Sequence, residues 1–201
     1  MIKESLHKVD WNKFFSVVGD IGPSLNSRKL RFDKSDLIEK CLEICSTDKQ
    51  IKWVDEIGWD HIIGPSKIKV EMKSQVACLY TNSGNVRKSG KTTLIKLMNS
   101  LGSATARSPN EVLRFDDLLL IDTGNTNTFS AAILSKGKMT QYADEWLTFK
   151  DDGVTGQFPI KELEFIVRPT DISETHLEQI TPSYRELKNK AQFEYLEQFK
   201  G

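Results

Sequence analysis

Residues 51–80, IKWVDEIGWDHIIGPSKIKVEMKSQVACLY, decide how this chain is read. Gly64-Pro65-Ser66 interrupts the stretch, and the run after it alternates Ile68, Val70 and Met72 against Lys67, Lys69, Glu71 and Lys73. Side chains of a strand point alternately to opposite faces, so this period of two predicts two apolar-rich β-strands joined at that turn. Glu71 and Lys73 then project from one face. Asp60, placed near the end of the first strand, can be brought by the hairpin beside the Glu71 carboxylate. Two carboxylates make hard oxygen ligands suited to magnesium, and a neighbouring ammonium can orient or deprotonate water and neutralise developing phosphate charge. The pattern is that of a phosphodiester-hydrolysis site. His61 follows Asp60 directly, but alternation turns it to the opposite face, where a structural role is expected.

Upstream, VDWNKFFSVVG (9–19) carries apolar residues at helical spacing and ends before the Gly22-Pro23 breaker. A second helix is expected from an N-cap at Asp33 or Ser35 through DLIEKCLEIC, with Leu37, Cys41, Ile44 and Cys45 on its inward face. Glu39 and Glu43 lie roughly opposite that stripe and are expected to face solvent. Downstream, TTLIKLMNSLG (92–102) reads as an amphipathic helix, and DDLLLID and TFSAAILSKG read as paired antiparallel strands across the turn-rich TGNTN. FKDDGVTGQFPIKELEFIVRP adds a Gly-rich turn and one more short strand or helix entry, and YRELKNKAQFEYLEQFK (184–200) has the composition of a surface helix. The expected fold class is a mixed α/β domain, a central mixed β-sheet flanked by helices. Residues 1–201 form one domain with its core at about 33–135, while 1–32 and 136–201 are helical or loop additions.

The 201 residues suffice for one hydrophobic core. With 38% hydrophobic and 28% charged residues, and no apolar run near the ~20 needed to span a bilayer, no membrane span is expected. The N-terminus mixes charges into its apolar residues, so a secretory signal is not expected and the chain is read as cytoplasmic. Three cysteines, Cys41, Cys45 and Cys78, do not suggest a disulfide framework, and the histidines lie too far from them to suggest zinc. Trp11, Phe14, Phe15, Trp53 and Trp59 sit among apolar neighbours and are expected in the core or a dimer contact. Net charge is zero, yet no acidic residue occurs between Glu71 and Glu111, a segment holding Lys73, Arg87, Lys88, Lys91, Lys96 and Arg107. Such a block can form the electrostatic footprint of a phosphate backbone.

Within that block, VACLY followed by GNVRKSGKTT and an expected helix mimics a phosphate-binding loop, and LLLID (118–122) mimics its partner strand. Such a loop needs four residues between its first Gly and the Gly-Lys pair, whereas five separate Gly84 from Gly90-Lys91. A P-loop NTPase is therefore the alternative from another class. In a nuclease the same loop has a different use: Asn82, Ser83, Asn85, Arg87, Lys88 and Lys91 offer phosphate cations and side chains able to pair with base edges. The turn at 124–128, GNTNT, is a second polar loop that could reach a groove or simply close a hairpin.

Gly58-Trp59-Asp60 followed by Val70-Glu71-Met72-Lys73-Ser74 resembles the PD-(D/E)XK nuclease superfamily, most closely the small PvuII-type restriction endonucleases. The resemblance covers the core, where a helix is followed by strands. It implies that Asp60 and Glu71 hold a divalent metal with the backbone carbonyl of Met72, and that Lys73 serves the attacking water. The residue before Asp60 is Trp59 where the family loosely keeps Pro, which leaves Asp55 as the competing aspartate. Some members recruit a further Glu from the preceding helix, for which Glu39 and Glu43 are the candidates. The implied function is that of a type II restriction enzyme, a sequence-specific endonuclease on double-stranded DNA using Mg2+, with Mn2+ as a substitute. The resemblance further implies a homodimer matched to a palindromic site and a companion DNA methyltransferase. A junction- or repair-directed nuclease and an inactive DNA-binding module of the same fold are the near alternatives.

Overall fold

The computed structural model describes residues 2–20, 34–99, 108–151 and 153–172. The chain opens with helices α1 (Ile2–His7), α2 (Trp11–Asp20) and α3 (Lys34–Cys45). Asp10 caps α2 by accepting the Lys13 N–H at 3.0 Å, the usual way a short acidic side chain satisfies an orphan helix donor. Along α3, Leu37, Ile38, Cys41, Leu42 and Cys45 are buried, a stripe wide enough to hold the helix against a sheet.

Residues 51–75 form three strands rather than two: β1 (Ile51–Glu56), β2 (Trp59–Ile63) and β3 (Ile68–Gln75). The extra turn falls at Ile57-Gly58, where Gly58 adopts φ +101°. Asp60 consequently stands at the start of β2, not near the end of a longer strand. The stretch 76–80, expected as a continuing strand, leaves the sheet in a turn.

β5 (Asp117–Asp122) and β6 (Ser130–Ser135) form the expected antiparallel pair, and β5 also pairs parallel with β3, Glu71 opposite Leu118 and Lys73 opposite Leu120. β9 (Glu164–Val167) completes a mixed sheet of order β1-β2-β3-β5-β6-β9. The core thus reaches past 135, and the region expected to add helices, loops and at most one short strand contains three strands among its described residues. Two of them, β7 (Leu147–Lys150) and β8 (Gly153–Gly156), join β4 (Ile95–Asn99) in a second sheet of order β4-β8-β7.

β4 occupies the place of the helix expected at 92–102. Ile95 and Leu97 are buried while Lys96 is exposed, and the backbone pairs with β8. The C-terminal helix expected at 184–200 lies outside the described residues.

Alternation along β5 sends Leu119 and Ile121 into the cluster formed with α1–α3, and Leu118 and Leu120 into a second cluster with Ile95, Leu97, Leu147, Val154 and Phe158 of the small-sheet side. The fold is therefore a mixed α/β domain whose central sheet is covered on one face by helices and on the other by the small sheet. Trp11, Phe14 and Phe15 belong to the first cluster, while Trp59 is half-buried. Among the described residues no helix is long and apolar enough to cross a membrane.

Candidate active site

Glu71 and Lys73 project from the same face of β3, and the Lys73 ammonium pairs directly with Glu71 Oε1. Antiparallel pairing of β2 with β3 runs only from Ile63↔Ile68 to His61↔Val70. Where the ladder stops, the Asp60 carboxylate takes the place of a backbone carbonyl and accepts the Met72 N–H at 2.7 Å. A strand residue directs its N–H and C=O to the same side, so the Met72 carbonyl also faces the side of β3 that Asp60 occupies. The three side chains expected to act together, and the carbonyl expected to assist them, converge on one edge of the meander. Asp55 lies in β1, inside an irregularity between Trp53 and Glu56.

Glu39 also belongs to this group, against the expectation that it faces solvent. It is buried, and its Oε2 accepts the Trp53 indole N–H at 3.2 Å. Burial, reinforced by the negative charge of Asp60, pushes its pKa up to about 8. Lys73 and the Trp53 N–H act in the opposite sense. The signal for its burial lies in α3 itself. Ile38 and Leu42 widen the buried stripe beyond Leu37, Cys41 and Ile44, and Glu39 is only about 60° from Leu42 on the helix wheel. Glu43 is half-buried and has a framework role, accepting from Trp53 N at 3.2 Å and Lys40 Nζ at 2.8 Å.

Burial alone would lower the pKa of Lys73, but the carboxylates of Glu71 and Asp60, together with Glu39, outweigh it and raise the value. Lys73 therefore stands in the site as an ammonium ion at neutral pH. His61 is fully buried with Nε2 2.8 Å from the Glu39 carbonyl. A carbonyl can only accept, so Nε2 carries the proton, and burial holds the ring neutral with its pKa lowered to about 4. This is the structural role expected of it: it ties β2 to α3.

The residues suit an oxygen-seeking divalent cation. Among the described residues no group of three or more His, Cys, Asp or Glu side chains is arranged to hold a metal. Magnesium needs less, since it retains several waters and is held through one or two carboxylates plus substrate phosphate. Asp60 and Glu71 would provide the carboxylates and the Met72 carbonyl a neutral oxygen, with the Lys73 ammonium paired to Glu71 beside them.

The polar loop following β3 places Asn82, Ser83, Asn85, Lys88 and Lys91 in solvent. Arg87 is half-buried and donates through Nη1 to the Ala77 carbonyl at 3.1 Å, so it shapes the loop from within. A phosphate-binding loop connects a strand to a helix; this one runs from a turn to β4, and Asp122 of its supposed partner strand is consumed by backbone amides. That removes the architecture on which the NTPase alternative depended. No protein-family model matches the chain, and no curated protein or solved structure matches it.

Proposed function

We propose that the chain is a magnesium-dependent endonuclease on double-stranded DNA, of the PD-(D/E)XK type and akin to type II restriction enzymes. The observation that carries this reading is the convergence of Asp60, Glu71 and Lys73 on β3 and its β2 neighbour, with Glu39 reaching in from α3. The order of α3, a three-stranded meander and then a parallel partner strand supports the likeness to the nuclease core.

Asp60, Glu71 and the Met72 carbonyl would hold the magnesium ion. When bound, the ion supplies Lewis acidity toward a phosphate oxygen and lowers the pKa of coordinated water. Lys73 contributes a fixed positive charge: as an ammonium it donates hydrogen bonds to the attacking water or to the phosphate, and stabilises charge that grows on the phosphoryl oxygens. Water adds to phosphorus as one P–O ester bond breaks, leaving a phosphate monoester and a hydroxyl. On this reading the enzyme works as a homodimer on a palindromic site, and a methyltransferase protects host DNA.

Digestion of unmethylated linear phage DNA tests the proposal, with Lys73→Ala and an EDTA control beside the wild type. Discrete bands from the wild type alone, retained when Mn2+ replaces Mg2+, are expected. Uncut DNA under both metals would overturn the reading.

A further inference from the structure

The Asp122 carboxylate, fully buried at the end of β5, spends its oxygens on the backbone of two loops. It accepts N–H groups from Ala77 at 2.9 Å, Leu79 at 2.9 Å, Tyr80 at 3.3 Å and Gly124 at 3.2 Å. A buried anion is tolerated only when it is hydrogen-bonded in this way, so the base of each loop is fixed by the same group. Arg87 adds its bond to the Ala77 carbonyl from the other side of the first loop.

Further out, each loop is built from internal hydrogen bonds. Thr81 N donates to the Asn85 carbonyl at 2.8 Å, and Gly84 N to the Thr81 carbonyl at 2.8 Å. In the second turn Asn125 Oδ1 accepts from Asn127 N at 2.9 Å, and its carbonyl accepts from Phe129 N at 2.8 Å. The loops then meet: Asn125 Nδ2 donates to the Asn82 carbonyl at 3.4 Å, and a Cβ added at Gly84 would lie 3.3 Å from Asn127 Cβ. Because β3 and β5 run parallel, both loops leave the same end of the sheet, and the first leaves it two residues after Lys73.

We infer that residues 81–91 and the turn 124–128 form one preformed platform that reads duplex DNA beside the Asp60–Glu71–Lys73 site, with Asp122 as its positioning residue. The inference rests on the nuclease reading for its choice of ligand. Asn82, Asn85 and Asn127 are exposed and carry donor and acceptor side by side, the pairing that suits a base edge such as adenine. Lys88 and Lys91 are exposed within the acid-free segment and provide the phosphate contacts. An acidic polypeptide would engage the lysines alone and give the three amides no role. A platform already fixed at its base loses little conformational freedom on binding.

The test is fluorescence anisotropy of the full chain with a labelled mixed-sequence linear duplex, in calcium so that binding is read without cleavage, across a salt series. Lys88→Ala/Lys91→Ala is expected to weaken binding and reduce the slope of log affinity on log salt by about 2. Selection from a random duplex pool is expected to show a sequence preference that Asn85→Ala and Asn127→Ala relax, both being surface changes that leave the fold intact. Wild-type duplex binding whose affinity and salt slope survive the double substitution would overturn the inference, as would tighter binding of poly-glutamate than of duplex. The digestion assay reports separately: duplex binding through this platform without strand scission in magnesium keeps the platform and removes the hydrolytic reading.

Discussion

Glu39 carries its carboxyl to a place where burial and the Asp60 charge both oppose ionisation, and this links folding to pH. An unfolded glutamate loses its proton near 4.5, whereas in the fold Glu39 holds it until about 8. The folded state therefore binds the extra proton between those values, and stability declines as pH rises through that window. His61 slopes the other way, since its pKa falls from 6.5 to about 4 on folding, so it removes stability as pH drops below 6.5. Above pH 6.5 the decline belongs to Glu39 rather than His61. Thermal unfolding in EDTA should show Tm falling from pH 6.5 to 8 in the wild type and flattening in Glu39→Gln. At Lys73 the expected outcome concerns charge balance: Lys73→Ala leaves Glu71 buried without its ammonium and should cost about 1–3 kcal/mol in urea unfolding. Glu71→Gln in the same chain should recover much of that loss. Asp60, Glu71 and Lys73 were legible because strand alternation alone puts Glu71 beside Lys73 and a turn brings Asp60 across. Glu39 is named by the resemblance but expected in solvent, because Leu37, Cys41 and Ile44 alone put it opposite the apolar stripe; the burial of Ile38 and Leu42 brings the stripe round to it.

Ala77, the second residue after β3, adopts φ +52° with its N–H held by Asp122 and its carbonyl by Arg87. A left-handed conformation costs a residue with a Cβ about 1–2 kcal/mol, and the hydrogen bonds at both ends hold it there. Ala77→Gly should raise stability by about 0.5–1 kcal/mol, a change to be measured by chemical denaturation. The elements named by local pattern, α2, α3 and the β5–β6 pair, were readable because turn residues and periodicity agreed. β4 was not. Leu94, Ile95, Leu97 and Met98 satisfy a helical stripe as well as a strand, and such a short apolar run is ambiguous by periodicity. Its strand state is decided by β8, more than fifty residues later. There Gly153 lies so close to the Met98 carbonyl that a Cβ has no room. Gly153→Ala should therefore separate β4 from β8, measured as faster amide exchange in both strands and a lower Tm.

Taken whole, the molecule has β3, β5 and β6 at its centre, between the cluster around α1–α3 and the cluster against the small sheet. Opening these strands exposes both clusters at once, so their amides should exchange near the global unfolding rate, while those of β7 at the edge of the small sheet exchange first. The parallel pairing of β3 with β5 has a consequence in time. β1, β2 and β3 come together through short turns, but β5 arrives only after the chain has traversed 76–116, and closing so long a loop is slow compared with hairpin formation. Until β5 docks, Glu71 and Lys73 stand on an open strand edge, and the loops organised by Asp122 have no anchor. The brace shared by both loops is thus the last piece a newly made chain acquires, arriving with β5 in a single step after the Asp60–Glu71–Lys73 meander has already formed.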